Sequence, residues 1–399
     1  MRQSKLLDPN SLLPSPDSKA RSHSEKLSVY IKKMIDRHGG SIGFDEYMDL
    51  ALYQKDLGYY SSGNQKFGPR GDFITAPEIS PLFSKCLASQ CVQILGDFED
   101  PCILEIGAGT GVMAKDMLLV LEQSNLLPEK YFIFEISPDL KLKQQKLLKK
   151  SIPRYIDRII WIDSLPERKF NGLVLANEVL DAFPVKRFKK ASDLFKEVKV
   201  SFNGNEFYWV DAPANHELTN VLEKIEDKLL KPFPENYCSE ININLKIWLD
   251  SVQSVMRKGV ILFIDYGYSM SDYYHPERSD GNLLCHYKHH VHDDPFFYPG
   301  LQDITTSVDF TSVAKNAEEV GLNISGYTNQ LYFLISCGLD DLVPDMSLLN
   351  TKSQTQISKE LRTLLMPDEM GERFKFMALT KKYNKELLGF SKIDQRNQL

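Results

Sequence analysis

The sequence contains 399 residues, which is more than one hydrophobic core usually fills, so we expect either one large α/β domain with additions or two domains. Its composition, 42% hydrophobic and 26% charged, is typical of a globular protein. The net charge of -6 disfavours nucleic-acid binding, and no apolar run approaches the ~20 residues that span a bilayer, so we expect no membrane insertion.

The N-terminal part is predicted to be a tail followed by helices. Residues 1–24 are rich in proline and polar side chains, which predicts a flexible tail and resembles neither a signal peptide nor a transit peptide. Apolar residues recur at helical spacing from Leu27 to Ile35, which predicts an N-terminal helical cap within residues 25–100. Residues 67–80 combine turn formers, aromatics and charges, and we expect a lid loop that orders over a ligand. An ordered connection that only packs is the alternative.

The spacing of the cysteines indicates the kind of cellular compartment. Six cysteines form no C-x-x-C pair and no dense framework, which favours a reducing compartment, expected to be the cytoplasm.

The strongest motif lies at residues 102–111, where an apolar strand enters a turn with three glycines at spacing two. Glycines let the backbone turn sharply and leave no Cβ between it and a ligand. In a dinucleotide-binding turn the third glycine would come one residue later, where this chain has Val112. Glu105 would oppose a pyrophosphate but would suit a cationic, amino-acid-bearing cofactor such as S-adenosylmethionine. A strand-to-helix turn without a ligand is the alternative.

Acidic residues follow the next two predicted strands. Residues 131–135 end in Glu135, whose carboxylate we expect to bind two ribose hydroxyls, as an acid in this position does in nucleotide-binding sheets. Residues 159–164 include Asp163, which could accept a hydrogen bond from an adenine amino group. An aspartate after a strand is also a common helix or turn cap.

The fourth predicted strand, residues 172–176, runs into an acidic turn with Asn177, Glu178 and Asp181. Ligands of open α/β sheets bind at the carboxyl ends of the strands. Glu178 and Asp181 are spaced i, i+3 and would share one face of a helical turn. The alternative is a pair of carboxylates that cap a solvated helix.

The alternation of strand and helix breaks after this turn. Residues 195–200 and 206–210 alternate in polarity around a glycine turn, which predicts a hairpin, and a charged helix is expected at 218–230. We expect this to be a β/α segment, at about 186–240, inserted between strands four and five.

The fifth predicted strand, residues 259–268, contains Asp265 near its end. Strands at 322–327 and 374–379 complete a predicted seven-stranded sheet. The segment at about 266–305 is rich in histidine and aromatic residues and is expected to be a flexible loop that contacts substrate. A metal site there is disfavoured because no cysteine or carboxylate lies at a zinc-binding spacing.

These pieces carry a resemblance to a known family. With residues 104–111, the blocks that carry it are 71–80, 177–185, 265–268 and 302–305. The chain resembles the class I S-adenosylmethionine-dependent methyltransferases, and more narrowly the MidA-like family of mitochondrial complex I assembly protein arginine methyltransferases. The resemblance spans about residues 25–385. Residues 298–301 and the histidine cluster depart from the family pattern, and the missing import sequence indicates a bacterial member.

The resemblance implies an α/β fold with a Rossmann-like seven-stranded sheet, an N-terminal helical cap and a methyltransferase domain over residues 101–385. It also implies S-adenosylmethionine as cofactor and symmetric dimethylation of an arginine in a partner protein, for which a subunit of respiratory complex I is the candidate. The protein would be a monomer or homodimer, cytoplasmic in a bacterium or in the mitochondrial matrix of a eukaryote.

The predicted site residues fall into three groups, and no metal ligand is among them. The catalytic residues are Glu178 and Asp181. The cofactor-binding residues are Thr75, Pro77, Glu78, Glu105, Gly107, Ala108, Gly109, Gly111, Glu135, Ser137, Asp163, Ser164 and Asn177. The substrate-binding residues are Asp265, Tyr266 and His286.

Three other functions stay open at this point. The glycine spacing disfavours a dehydrogenase, and a metal hydrolase would need a metal bound by the histidine segment. A non-catalytic protein that binds S-adenosylmethionine and a partner is the main alternative, because a sequence does not show turnover.

Overall fold

The computed structural model describes residues 13–62 and 74–399. The strands in these residues are β1 (Ile42–Gly43), β2 (Cys102–Ile106), β3 (Lys130–Phe134), β4 (Ile159–Ile162), β5 (Phe170–Asn177), β6 (Lys186–Ala191), β7 (Leu194–Phe202), β8 (Phe207–Pro213), β9 (Cys238–Ile241), β10 (Met256–Tyr268), β11 (Leu283–Tyr287), β12 (His290–His292), β13 (Asp303–Thr306), β14 (Val308–Asp309), β15 (Asn323–Asn329) and β16 (Phe374–Lys381). The α-helices are α1 (Ser18–Arg37), α2 (Phe44–Tyr53), α3 (Ala76–Ile79), α4 (Pro81–Leu95), α5 (Val112–Gln123), α6 (Pro138–Ser151), α7 (His216–Glu226), α8 (Leu245–Ser254), α9 (Met270–Tyr273), α10 (Phe310–Glu319), α11 (Gln330–Ser336), α12 (Leu339–Leu342) and α13 (Thr351–Leu365).

These elements form two compact units. The first unit takes the described part of Met1–Phe73, Asp181–Ile243 and Ser271–Ser307. The second unit takes Ile74–Leu180, Asn244–Met270 and Val308–Leu399.

The second unit is built on one large sheet with the order β15-β16-β10-β5-β2-β3-β4. The five strands from β10 to β4 run parallel, while β16 is antiparallel to both of its neighbours. All five residues of β2 are buried, as expected for the central strand of a sheet covered on both faces. All seven predicted strands lie in this sheet. The two-residue strand β14 pairs with the end of β10 and adds an eighth strand that the sequence did not predict.

Helix α4, which precedes β2 in the chain, was not predicted from the sequence. Ser80 caps it by accepting a hydrogen bond from the amide of Leu82, and Pro81 occupies its first turn. Most of its residues are buried, so it has no clear polar face. Phe83 and Leu87 are fully buried in the core that also contains Ile103 of β2. The helix is therefore an internal part of the second unit.

The first unit contains α1, α2 and the inserted segment. Helix α1 begins at Ser18, inside the predicted tail, because Asp17 caps the amide of Ala20 at 2.8 Å. Strands β6 to β9 and helix α7 form the expected insertion between β5 and β10. The predicted hairpin is confirmed: β7 and β8 are antiparallel and pair Phe202 with Phe207 across the turn.

The histidine-rich segment differs from the flexible loop that the sequence predicted. Strand β11 pairs with both β12 and β13 in a three-stranded antiparallel sheet. Leu283, Cys285 and Tyr287 are buried at alternate positions of β11, which is the period of a strand with one face in a core. The residues between them are Leu284 and His286, and the exposed Leu284 concealed this alternation in the sequence.

Candidate cofactor site and acidic turn

The turn after β2 has the left-handed backbone that glycine favours. Gly107, Gly109 and Gly111 have φ angles of 69°, 52° and 85°. A Cβ on Gly107 would lie 3.1 Å from a methyl group of Val179, whereas a Cβ on Gly109 would meet no atom within 4 Å. The turn therefore packs against the segment after β5 at its first glycine and is open at its second. Ala108 between them is buried.

Glu105 is a fully buried acid in β2. The hydroxyl of Tyr131 donates a hydrogen bond to its Oε2 at 2.8 Å, and no described residue bonds its Oε1. Burial raises the pKa of Glu105 to about 7; the bond from Tyr131 opposes this rise and the charge of Glu135 adds to it. The predicted acid is in place, but its charge near neutral pH depends on this burial.

Glu135 follows β3, and both oxygens of its carboxylate accept hydrogen bonds. Its Oε1 accepts from the amide of Ser137 and its Oε2 from the side chain of Gln144, both at 2.9 Å. Gln144 also donates to the carbonyl of Gly109 at 2.9 Å and accepts from the indole of Trp161 at 3.0 Å. Gln144 thus connects the predicted ribose acid to the glycine turn.

The other predicted cofactor residues after β4 lie at the surface. Asp163 has an 85% exposed side chain and accepts a hydrogen bond from Lys141 at 2.8 Å. Ser164 is exposed as well. The expected role of Asp163 toward adenine stays a prediction.

The side chain of Glu78 in helix α3 interacts with Thr110 of the glycine turn. Burial raises the pKa of Glu78, and this bond opposes the rise. Thr75 is the N-cap residue of α3 and Pro77 is buried in it. Residues 67–73 of the predicted lid loop lie outside the described residues.

The acidic turn after β5 is held by the end of β10. Glu178 has a φ angle of 53°, an uncommon conformation for a residue with a side chain. Its amide donates to the carbonyl of Ile264 at 2.8 Å. Oδ2 of Asp265 accepts from the amides of Val179 and Leu180 at 3.2 and 2.9 Å.

The side chains at the start of this turn are polar and close. Nδ2 of Asn177 donates to Oε1 of Glu178 at 3.2 Å, whereas Oδ1 of Asn177 is buried with no hydrogen-bond partner in the described chain. Oδ1 of Asp265 accepts from the amide of Tyr266 at 3.0 Å. Asp265 thus binds backbone amides of the turn and of β10. Its predicted contact with substrate stays a prediction.

Asp181 belongs to the first unit, where it is buried near a pair of tyrosines. The rings of Tyr53 and Tyr60 stack with centroids 5.6 Å apart. The hydroxyl of Tyr60 donates to Asp303 at 2.8 Å, and that of Tyr53 donates to the carbonyl of Ala182 at 2.7 Å. Burial raises the pKa of both tyrosines, and the charges of Asp303 and Asp181 raise it further.

The two remaining predicted substrate residues are on different elements. Tyr266 packs edge-on against Phe374 with ring centroids 5.7 Å apart, in the second unit. His286 is on β11 in the first unit, where burial lowers its pKa and nearby His292 lowers it further.

Sequence reasoning missed Gln144 and Asp303. Gln144 lies between Leu140 and Leu148 at spacing four, so a polar residue in an apolar helical stripe was the available signal. Asp303 stood in one of the blocks that carried the resemblance, but nothing in its strand indicated a bond to Tyr60.

The residues present fit S-adenosylmethionine. The open backbone at Gly109 allows a ligand to approach closely, and the buried acceptor atoms Glu105 Oε1 and Asn177 Oδ1 suit a cationic ligand.

Among residues 13–62 and 74–399, no group of three His, Cys, Asp or Glu side chains is arranged to hold a metal. No helix in the described chain has both the length and the apolar character to cross a membrane.

Comparison with known proteins defines the class. The model of the family described as "Putative S-adenosyl-L-methionine-dependent methyltransferase" matches residues 86–328, and the chain belongs to this family. It is therefore a methyltransferase with S-adenosylmethionine as its cofactor. A crystal structure of a Burkholderia thailandensis protein bound to S-adenosyl-homocysteine is 35% identical, with a TM-score of 0.90, and covers 97% of this chain and 100% of that one.

Curated relatives narrow the comparison. The Danio rerio protein arginine methyltransferase NDUFAF7, mitochondrial, is 26% identical over 385 residues, covering 90% of this chain and 86% of that protein. Its Drosophila melanogaster homolog is 27% identical over 405 residues, covering 94% of this chain and 89% of that protein. The predicted family, fold class, cofactor and enzyme class are confirmed.

Proposed function

We propose that this protein transfers a methyl group from S-adenosylmethionine to an arginine side chain of a partner protein and forms the symmetric dimethyl product. The observation that carries the proposal is the acidic turn after β5. Glu178 is held there at a φ angle of 53°, and the next residue, Val179, packs against Gly107 of the glycine turn. The relatives named protein arginine methyltransferase support arginine as the acceptor.

Arginine is a demanding acceptor because its guanidinium keeps its proton. Full deprotonation at neutral pH costs roughly 7 to 9 kcal/mol for a pKa of about 12.5 to 13.8. An enzyme therefore has to hold the protonated group in place and remove the proton only as the new bond forms. Carboxylates are suited to this because they accept bidentate hydrogen bonds from the guanidinium.

We assign these roles to Glu178 and Asp181. The spacing of these two carboxylates along the chain, i and i+3, supports a shared role in binding the guanidinium N–H groups, which would direct one nitrogen toward the methyl group. The cofactor would supply an electrophilic methyl group. As the nitrogen lone pair forms the N–C bond, the bond between sulfur and carbon would break and its electron pair would stay on sulfur. One of the carboxylates accepts the proton that the nitrogen loses, so no covalent enzyme intermediate is needed.

The cofactor contacts that we propose use residues of the second unit. We assign Glu135 to the two ribose hydroxyls and the glycine turn to the amino-acid end of the cofactor, with Glu105 and Asn177 as nearby acceptors. Ser137, Glu78 and Asp163 complete the proposed contacts. A subunit of respiratory complex I is the proposed partner, by the family resemblance of the sequence. The mitochondrial matrix, or the cytoplasm of a bacterium, is the proposed location; the relatives are named mitochondrial.

The test changes each proposed catalytic carboxylate to its amide. Glu178→Gln and Asp181→Asn should each lower single-turnover methylation of an arginine peptide by about a hundredfold or more, because a buried guanidinium that loses one carboxylate is destabilised by about 3 to 5 kcal/mol. Calorimetric affinity for S-adenosylhomocysteine should change little. Glu122→Gln is the matched control, since Glu122 pairs with Arg154 at the far end of α5.

Two results would contradict the proposal. Near-normal turnover in both variants would assign guanidinium binding to other residues, such as Asp265, Tyr266 or the histidine segment. Labelled S-adenosylmethionine in host lysate, followed by mapping of the modified residue, tests the acceptor directly, and a labelled residue other than arginine would overturn the substrate class.

A further inference from the structure

Gln144 is a polar residue on the buried, otherwise apolar face of α6. In α6 the residues that face the core are Leu140, Gln144 and Leu148, and Gln144 is fully buried. Burying an amide side chain is costly unless its hydrogen bonds are made. A leucine would continue the apolar stripe at this position, so the amide needs an explanation other than packing.

Every polar atom of Gln144 has a partner. Its two N–H groups donate to the carbonyl of Gly109 and to Oε2 of Glu135, both at 2.9 Å, and its oxygen accepts from the indole of Trp161 at 3.0 Å. The reverse orientation of the amide would place an oxygen against two acceptors. Of these partners, Gly109 belongs to the glycine turn, Glu135 directly follows β3, and Trp161 lies in β4.

Gln144 also packs against the third glycine. A Cβ on Gly111 would lie 3.2 to 3.4 Å from atoms of Gln144, so the side chain lies directly under the start of α5. The amide therefore fixes two parts of the cofactor site with one side chain: the backbone of the glycine turn and the carboxylate of Glu135. The amide of Ser137 holds the other oxygen of that carboxylate.

We propose that Gln144 is a positioning residue that aims Glu135 at the cofactor ribose. This inference rests on the proposed ribose-binding role of Glu135. A carboxylate oxygen can accept more than one hydrogen bond, so the bonds from Ser137 and Gln144 do not by themselves prevent these oxygens from binding ribose hydroxyls. With both oxygens held, the carboxylate is presented to the ribose in one orientation, and the ordering is done before the ligand binds.

The experiment measures discrimination between two ligands. S-Adenosylhomocysteine and its 2′-deoxy analogue differ by one ribose hydroxyl, and the ratio of their calorimetric affinities reports on the ribose contact alone. In the wild type the natural ligand should bind about tenfold or more tightly, as expected for a hydrogen bond to a charged acceptor. Gln144→Met, which keeps the volume and removes the amide, should lower that ratio to about threefold or less.

Two variants separate this inference from simple destabilisation. Gln90→Met is the matched control: Gln90 is also buried in the second unit, where it accepts from the amide of Gly389 and donates to Gln93. Its ratio should equal that of the wild type even if its melting temperature falls. Glu135→Gln should lose the discrimination as Gln144→Met does.

The outcomes are distinct. A wild-type ratio in Gln144→Met, with a reduced ratio in Glu135→Gln, would overturn the positioning role and leave the role of Glu135 intact. A wild type that binds both ligands equally would overturn the role of Glu135 and this inference with it. Neither result depends on whether arginine is the methyl acceptor, because no turnover is measured.

Discussion

Glu105 illustrates how the environment of one residue decides its chemistry. The sequence placed an acid in the central strand, and its charge was expected to suit a cationic cofactor. In the folded protein, burial raises the pKa of this carboxyl to about 7, since only Tyr131 donates to it among the described residues. The charge is therefore present only toward the upper end of the neutral range before a cation binds.

This shift makes stability depend on pH. The ordinary pKa of a glutamate is about 4.3, so between there and pH 7 the unfolded chain has released a proton that the folded chain keeps. Stability falls as pH rises through this window, by up to about 1.4 kcal/mol per pH unit. Above pH 7 both states are ionised and the contribution no longer changes.

We therefore expect Glu105→Gln to be less sensitive to pH than the wild type. Urea unfolding at pH 5 and at pH 8 should give the variant a relative gain in stability at the higher pH, because a neutral amide has no proton to lose. Glu122→Gln, at an exposed ion pair, is the control. Equal pH dependence of the wild type and Glu105→Gln would show that Glu105 titrates at an ordinary pKa.

The sequence did not predict a residue such as Gln144, which is proposed to act by positioning another side chain. Glu135 was predicted to bind the ribose because an acid after the second strand has this role in nucleotide-binding sheets. The role of Gln144 depends on three residues from separate elements that meet only in the fold. The sequence signal, a polar residue in an apolar stripe, reports burial but does not identify the partners.

At the scale of elements, the turn after β5 depends on β10. Asp265 is 1% exposed and its carboxylate accepts hydrogen bonds from the amides of Val179, Leu180 and Tyr266. Bonds to a charged acceptor contribute more than neutral ones, about 1.5 to 3 kcal/mol each. The uncommon backbone conformation of Glu178 persists because its surroundings hold it there.

We expect Asp265→Asn to slow methyl transfer by about tenfold or more, because an amide has one acceptor oxygen and would place an N–H against a backbone N–H. Single-turnover rates at saturating peptide, with separate peptide affinities, measure this. Asp309→Asn is the matched control, since Asp309 caps α10 by accepting from the amide of Ser312 and asparagine also caps well. A loss of peptide affinity with an unchanged rate would instead make Asp265 a substrate contact.

The elements themselves differ in how well the sequence predicted them. The parallel strands were found because each is an apolar run bounded by turn residues, and the candidate site was predicted at their carboxyl ends. Helix α4 was missed because it is buried nearly all round and shows no polar face to give a helical period. Strand β11 was missed because the histidine-rich and aromatic composition around it drew attention away from its alternation of buried residues.

At the scale of the whole molecule, the units are not consecutive in the chain. Six segments alternate between the first and second unit, so neither unit is a continuous piece of sequence. The sequence predicted consecutive regions with boundaries near 24, 100 and 385, because a linear pattern cannot show that separate segments share a core. Helices α3 and α4 of the second unit precede the predicted methyltransferase domain in the chain, as do α1, α2 and β1 of the first.

We therefore expect a chain of residues 101–399 not to fold. It lacks α4, whose side chains Phe83, Leu87 and Ile94 are fully buried in the second unit, and it lacks α2, with Phe44 and Tyr47 fully buried in the first. Each such side chain contributes about 1.5 to 3 kcal/mol by burial, against a typical total stability of about 5 to 15 kcal/mol. A chain of residues 13–399, which keeps every described element, is the control. Urea unfolding and calorimetric binding of S-adenosylhomocysteine should show a cooperative transition and ligand binding in the control alone, and the same behaviour in the 101–399 chain would mean that the methyltransferase sheet forms without α4.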